Sequence, residues 1–146
     1  MKNGTIYLIG PISGCTFTEA TQWRNDLQIP LAQNGWTVLD PMRGKNHLSA
    51  EEKIVLSYED HIVSRSDSIF QTDLFRVRQA DVLLCNLTSM PGHSIGTFME
   101  MGYGHALGKI IIVIANDPMV VKHPFIVNSS IVVSTVEEAL QVLHNI

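Results

Sequence analysis

Apolar residues gather along this chain in five short runs. They are Thr5-Ile-Tyr-Leu-Ile9, Trp36-Thr-Val-Leu39, Asp81-Val-Leu-Leu-Cys-Asn-Leu87, Ile110-Ile-Ile-Val-Ile114 and Ile131-Val-Val133. Each has strand length, and a run that is apolar throughout suits a strand buried on both faces of a parallel sheet. Between the runs, apolar positions recur at helical spacing. Phe17–Asn34 carries Ala20, Trp23, Leu27 and Leu31 as a stripe, with Pro30 placed to kink or interrupt the helix and Gly35 to stop it. Tyr58–Gln79 reads as helix in two pieces, marked by Ile62, Ile69, Leu74 and Val77. The helix that follows Gly92–Gly96 has Met99, Tyr103, Ala106 and Leu107 at the same spacing, which predicts its buried stripe. A last helix runs through Glu137 and Glu138, capped by Ser134 or Thr135, with its acids in the first turn as the dipole prefers.

Two stretches break the rhythm. Residues 42–57 are polar and unperiodic, and a loop of that length is often functional, so a mobile loop over a site is expected ahead of a mere surface excursion. Asn116–Asn128 holds Pro118 and Pro124 and reads as a loop with a short turn. Strand and helix otherwise alternate, without repeat, low-complexity segment or linker. The expectation is a single domain over 1–146: a doubly wound, five-stranded parallel α/β sheet, flavodoxin- or Rossmann-like, in the order 2-1-3-4-5. Such sheets bind ligands beyond the carboxyl ends of strands one and three. That rule selects Tyr7 inside strand one and the Gly10–Gly14 loop after it, Asp40 after strand two, and Asn86, the Gly92–Gly96 loop and Glu100 after strand three.

These positions carry candidate chemistry. Gly96, Glu100 and Gly104 are four apart and share a helix face. Each glycine weakens a helix by about 1 kcal/mol relative to alanine, so their presence suggests close approach of a backbone or a ligand. Tight helix–sheet packing with Glu100 in solvent would give the same pattern. The Gly10–Gly14 loop offers amide groups and Ser13 to a phosphate or to sugar hydroxyls, or is a simple tight turn. Ser94 is first read as a helix cap, and its hydroxyl would also suit a phosphate. Asp73, near the end of the second long helix, is ordinarily a solvated aspartate, yet the chain returns to the sheet just afterwards and an acid here can face Glu100. Two carboxylates around a sugar are the equipment for breaking a glycosidic bond.

Composition narrows the partners. The 146 residues are 45% hydrophobic, enough for a sizeable core, and the net charge of -4 with no basic run argues against a nucleic-acid polymer. A small anion held by backbone amides needs no excess charge. Cys15, Cys85 and the six scattered histidines show no metal-ligand spacing, and Cys85 reads as a core thiol. Met1–Tyr7 runs directly into a strand, without signal-peptide architecture or a membrane span, so a soluble cytoplasmic protein without membrane contact is expected.

Three blocks together resemble the nucleoside 2-deoxyribosyltransferase family, which includes a branch hydrolysing 2′-deoxynucleoside 5′-monophosphates. They are Ile6-Tyr-Leu-Ile-Gly-Pro-Ile-Ser-Gly14, Asp73-Leu-Phe-Arg-Val-Arg-Gln-Ala-Asp81 and Ser94-Ile-Gly-Thr-Phe-Met-Glu-Met-Gly-Tyr-Gly-His-Ala106. Residues 42–57 and 116–128 match nothing distinctive. The resemblance implies that Glu100 is the nucleophile attacking C1′, that Tyr7 positions it, and that Asp73 assists departure of the base. It implies substrate contacts at Gly10, Ser13, Gly14, Asn86, Ser94 and Gly96. It also implies a small-molecule deoxynucleoside or deoxynucleotide and a nucleobase as ligands, with no metal or organic cofactor. A polar residue just before the last strand, one of Asn128, Ser129 and Ser130, with Ser130 taken as the contact, would complete the site of a neighbouring subunit, which implies at least a homodimer. Members acting on free nucleosides often carry aspartate where this chain has Ser94, and the hydrolase branch usually has serine and arginine where this chain has Pro11 and Ser13. Transfer to another base ranks first and hydrolysis of the monophosphate second. A non-catalytic nucleotide-binding domain is the reading from another class, against which Tyr7, Asp73 and Glu100 stand together.

Overall fold

The computed structural model describes residues 3–88 and 94–146; Gly92 and His93, which open the glycine-rich stretch, lie outside them. Strands β1 (Gly4–Ile9), β2 (Trp36–Leu39), β3 (Val82–Asn86), β4 (Ile110–Ile114) and β5 (Ile131–Val133) form one parallel sheet in the order β2-β1-β3-β4-β5. The five runs read from the sequence are these strands, within a residue or two at their ends. Helices α1 (Phe17–Gln33), α2 (Ser66–Gln79), α3 (Ile95–Ala106), α4 (Pro118–Val121), α5 (Pro124–Ser129) and α6 (Val136–His144) cover the two faces.

The period-two alternation of β1 decides which side each residue serves. Ile6 and Leu8 face Leu27 and Leu31 of α1 and Ala139 and Leu143 of α6. Tyr7 and Ile9 face the opposite way, into a core shared with Val77 of α2, Met101 of α3, Val120 of α4 and Ile126 of α5. Tyr7 therefore lies under α2 and α3. It sits in register with Leu83 of β3 and Leu39 of β2, at the crossover where the sheet's winding reverses.

Local signals set the helix ends. Thr16 and Glu19 form a reciprocal capping box at the start of α1. The helix is not interrupted at Pro30 but continues to Gln33. Thr135, not Ser134, caps α6 by accepting from the Glu138 N–H at 3.1 Å. Tyr58–Gln79 resolves into a 3₁₀ turn at Ile62–Ser64 followed by α2, with Ile62 exposed and Val77 buried. Residues 116–128 hold two short proline-started helices, α4 and α5, rather than a loop with one turn.

The expected stripe of α3 is reversed. Met99, Tyr103 and Leu107 are 65%, 37% and 45% exposed, while Thr97, Met101 and Gly104 face the sheet. Gly104 sets this orientation. A Cβ there would lie 2.2 Å from Leu83 Cδ1, so only a residue without a side chain lets α3 close onto β3. The tight-packing explanation of the glycines holds for Gly104. It does not hold for Gly96, where a Cβ would meet nothing within 4 Å.

Candidate active site

A cavity of about 310 Å³ opens at the carboxyl ends of β1 and β3, beneath α2 and α3. Seven of the residues selected from the sequence line it: Tyr7, Gly10, Ser13, Asp73, Ser94, Gly96 and Glu100. Tyr7 arrives from inside β1, Asp73 from the middle of α2 rather than near its end, and Glu100 from the second turn of α3. Gly96, one turn before Glu100, leaves the space beside the carboxylate empty. Ser94 occupies the cap position of α3 but makes no capping bond to the backbone; its hydroxyl pairs with Thr97 Oγ1 at 2.7 Å. The cap reading of that hydroxyl is therefore corrected.

Other selected residues stand outside the lining. Gly14, at φ +83°, donates its N–H to the Ile54 carbonyl at 2.7 Å, and Ile54 returns a bond to the Cys15 carbonyl at 2.8 Å. Gly14 thus ties the first loop to the segment above it and has no free amide for a ligand. Asn86 accepts from the amide and hydroxyl of Thr88. Asp40 accepts from the Met42 N–H at 2.8 Å and lies 3.9 Å from Arg24 Nε. Asn128, Ser129 and Ser130 each donate to the carbonyl four residues earlier, and none lines this cavity in the same chain.

The segment 42–57 does cover the site. Met42, Leu48 and Ile54 pack with Cys15 and Ala20 into a small core of their own. Leu48, Ile54, Val55, Leu56 and Tyr58 then form one wall of the cavity. A 3₁₀ turn at Asn46–Ala50 and the two bonds at Ile54 hold this wall. Lys45 is buried within it and also lines the cavity. Sequence reasoning missed Lys45. A lone lysine in an aperiodic loop carries no signal, and only its burial marks it.

Arg24 was missed as well. It is fully buried one position beyond Trp23 in the stripe of α1, and its guanidinium donates to the carbonyls of Leu8, Ala20 and Gly10. That locks the end of β1 and the start of the first loop to α1. On the opposite side Arg76 binds Asp73 at 2.7 Å, a pair three residues apart on α2.

Burial governs the electrostatics. It pushes the Glu100 carboxyl up to about 8, and the negative charge of Asp73 pushes the same way against the pull of Arg24, Arg76 and Lys45. Burial also raises Asp73, opposed by Lys45 and Arg76. The Tyr7 phenol is held well above its usual value by burial and then by Glu100 and Asp73. A buried acid pair around an empty, part-apolar space can hold a proton until a positively charged group forms between its members.

Comparison with known proteins places this arrangement. Among solved structures, the 2-desoxiribosyltransferase from Leishmania mexicana superposes with a TM-score of 0.68 at 18% identity, covering 97% of each chain. A conserved protein from Enterococcus faecalis V583 gives 0.69 at 17% identity, covering 97% of this chain and 98% of that one. The CMP N-glycosidase of Clostridium botulinum gives 0.53 at 20% identity, covering 95% of this chain and 97% of that one. At these identities the likeness speaks for the fold. Sequence comparison with curated proteins gives no match. The profile of the family described as nucleoside 2-deoxyribosyltransferase spans residues 6–139, from β1 to α6, taking in Tyr7, Asp73 and Glu100. The chain belongs to the nucleoside 2-deoxyribosyltransferase family.

Proposed function

We propose that this protein cleaves the N-glycosidic bond of 2′-deoxynucleosides or their 5′-monophosphates through a covalent deoxyribosyl intermediate on Glu100, and passes the sugar to another nucleobase. The observation that carries the reading is the convergence of Tyr7, Asp73 and Glu100 on one cavity in a chain of this family. Glu100 attacks C1′ as the C1′–N bond breaks; the bonding pair goes to the base nitrogen, and Asp73 supplies it with a proton. Positive charge develops on the sugar, and a nearby carboxylate stabilises that charge before bonding to it. Tyr7 orients the carboxylate. The second base then attacks C1′ from the vacated face, releases Glu100 and gives net retention.

Hydrolysis of a nucleoside 5′-monophosphate is the second reading, favoured by Ser94. Its hydroxyl lines the cavity at the start of α3 without a backbone partner, beside Ser13. A serine there accepts a phosphate that an aspartate would repel. One protein of similar fold is a CMP N-glycosidase, which agrees with a nucleotide substrate.

The protein acts as a homodimer or larger assembly. Two exposed apolar surfaces support this: Ile95, Met99, Tyr103 and Leu107 on α3, and Met119 and Phe125, 72% and 81% exposed, which line an apolar cavity of about 350 Å³ with Phe98, Met101 and Gly102 of α3. Such a patch is a cost to a monomer in water. Ser129, at the end of α5, lines the same cavity.

The test is base release from a deoxynucleoside and from its 5′-monophosphate, each with and without a second free base, for wild type and Glu100→Ala. A new nucleoside formed only with the acceptor supports transfer. Release from the monophosphate alone supports hydrolysis. Full activity in Glu100→Ala removes the carboxylate from the mechanism.

A further inference from the structure

Lys45 is 4% exposed, yet it lines the catalytic cavity. Among the described residues that line the cavity it is the only lysine, arginine or histidine. The ion pairs among the described residues join Arg24 to Asp40, Arg65 to Asp67 and Arg76 to Asp73, and leave Lys45 out. Its backbone is fixed, with N–H to the Met42 carbonyl at 3.1 Å and the Leu48 N–H on its own carbonyl at 3.0 Å. Its stem is buried while its ammonium borders the cavity, and an ammonium so placed outside any ion pair is costly unless something in the cavity completes it.

Its surroundings indicate what that is. The wall that holds Lys45 is otherwise apolar, built from Leu48, Ile54, Leu56 and Tyr58. A nucleobase has flat apolar faces and a polar edge, and suits such a slot. Asp73, the proton donor to the base, is the charge that acts most strongly on Lys45, and burial lowers the ammonium from its usual 10.5. Ser13 and Ser94, the groups suited to a phosphate, come from the first loop and the start of α3 instead.

We infer that Lys45 meets the polar edge of the departing base and stabilises the negative charge that the base takes up as the C1′–N bond breaks. The assignment rests on the glycosidic-cleavage reading above. In the step, the bonding pair passes to the base nitrogen, Glu100 bonds to C1′, and the proton of Asp73 follows onto the base. Lys45 acts while the pair has arrived and the proton has not. A 7-methylated purine starts as a cation and leaves neutral, so it offers the ammonium no charge to stabilise.

The experiment compares wild type, Lys45→Met and Lys45→Arg on two substrate pairs, each as nucleoside and as 5′-monophosphate, with spontaneous base loss subtracted. The pairs are 2′-deoxyguanosine with its 7-methyl derivative, and 2′-deoxyuridine with its 5-fluoro derivative, whose base is the weaker base. Thermal melts confirm that the variants fold. Lys45→Met is expected to lower kcat about tenfold to a hundredfold on the poor leaving group. It should leave the 7-methyl substrate unchanged or faster, penalise 5-fluorouracil less than uracil, and be partly rescued by arginine. Equal losses within each pair, or no loss at all, overturn the inference. So does a loss confined to the monophosphates, which would move Lys45 to the phosphate. If wild type turns over none of these substrates, the glycosidic-cleavage reading fails first and the inference falls with it.

Discussion

The buried carboxyl of Glu100 makes a prediction about stability that needs no substrate. Glu100 titrates near 8 in the folded chain and at the ordinary 4.5 when unfolded. Below 4.5 both states hold the proton and the group costs nothing. Between 4.5 and 8 the unfolded chain releases its proton while the folded chain keeps it, so stability falls as pH rises, by about 1.4 kcal/mol per pH unit. Above 8 both are ionised and the loss levels off at about 5 kcal/mol; at pH 7 it is about 3 kcal/mol. Glutamine matches the neutral acid in shape and never ionises. Glu100→Gln should therefore melt with wild type near pH 4.5 and progressively above it at higher pH. For a chain of this size the gap is about 6 to 12 °C at pH 7. Urea or thermal denaturation of the two proteins from pH 4 to 9.5 measures it. A difference that stays flat across that range would falsify the claim that burial holds the proton on Glu100.

Four further outcomes follow from the geometry. On a turned-over substrate, kcat/KM should rise with pH as Glu100 ionises and fall again as Asp73 gives up its proton, and Asp73→Asn should remove the falling limb and move the rising limb to lower pH, because the charge of Asp73 raises Glu100. Gly104→Ala should destabilise by about 1–3 kcal/mol through its clash with Leu83, whereas Gly102→Ala, on the same helix with open space around it, should be neutral or stabilising by up to about 1 kcal/mol; urea midpoints separate them. Arg24→Met should cost about 3–5 kcal/mol by removing the guanidinium's bonds to three carbonyls and its charge from beside Asp40, and Arg24→Lys should recover only part, since an ammonium lacks the guanidinium fork. Met99→Glu with Phe125→Glu should shift sedimentation towards monomer and lower activity together; an unchanged sedimentation coefficient would remove that face from the assembly.

The strands were legible because each is an unbroken apolar run buried on both faces, a pattern that short strands share with few alternatives. The site positions at Tyr7, Asp73 and Glu100 were legible through the switch-point rule and the motif blocks. The orientation of α3 was not. Its outward residues, Ile95, Met99, Tyr103 and Leu107, are more apolar than the inward Thr97, Met101 and Gly104, so periodicity selected the wrong face. A helix that closes on a sheet through a glycine and meets another surface through its large side chains inverts the usual signal. The wall at 42–57 was foreseen as lying over the site, but its inner residues were not. Lys45, Leu48 and Ile54 turn inward through a 3₁₀ turn and two backbone bonds to the first loop, and no period in the sequence encodes contacts made so far along the chain.

The position of β1 has a consequence for synthesis. Residues 4–9 form an interior strand, yet one neighbour, β3, begins only at Val82, with the Thr5 amide reaching as far as the Asp81 carboxylate. A chain growing from its amino end therefore carries Ile6-Tyr-Leu-Ile9 with one edge unpaired until more than half of it has left the ribosome. An unpaired apolar strand recruits other strands, and pairings that distant in sequence form slowly. Tyr7 spends that interval on an open edge, and the cavity it lines closes late in the life of the nascent chain.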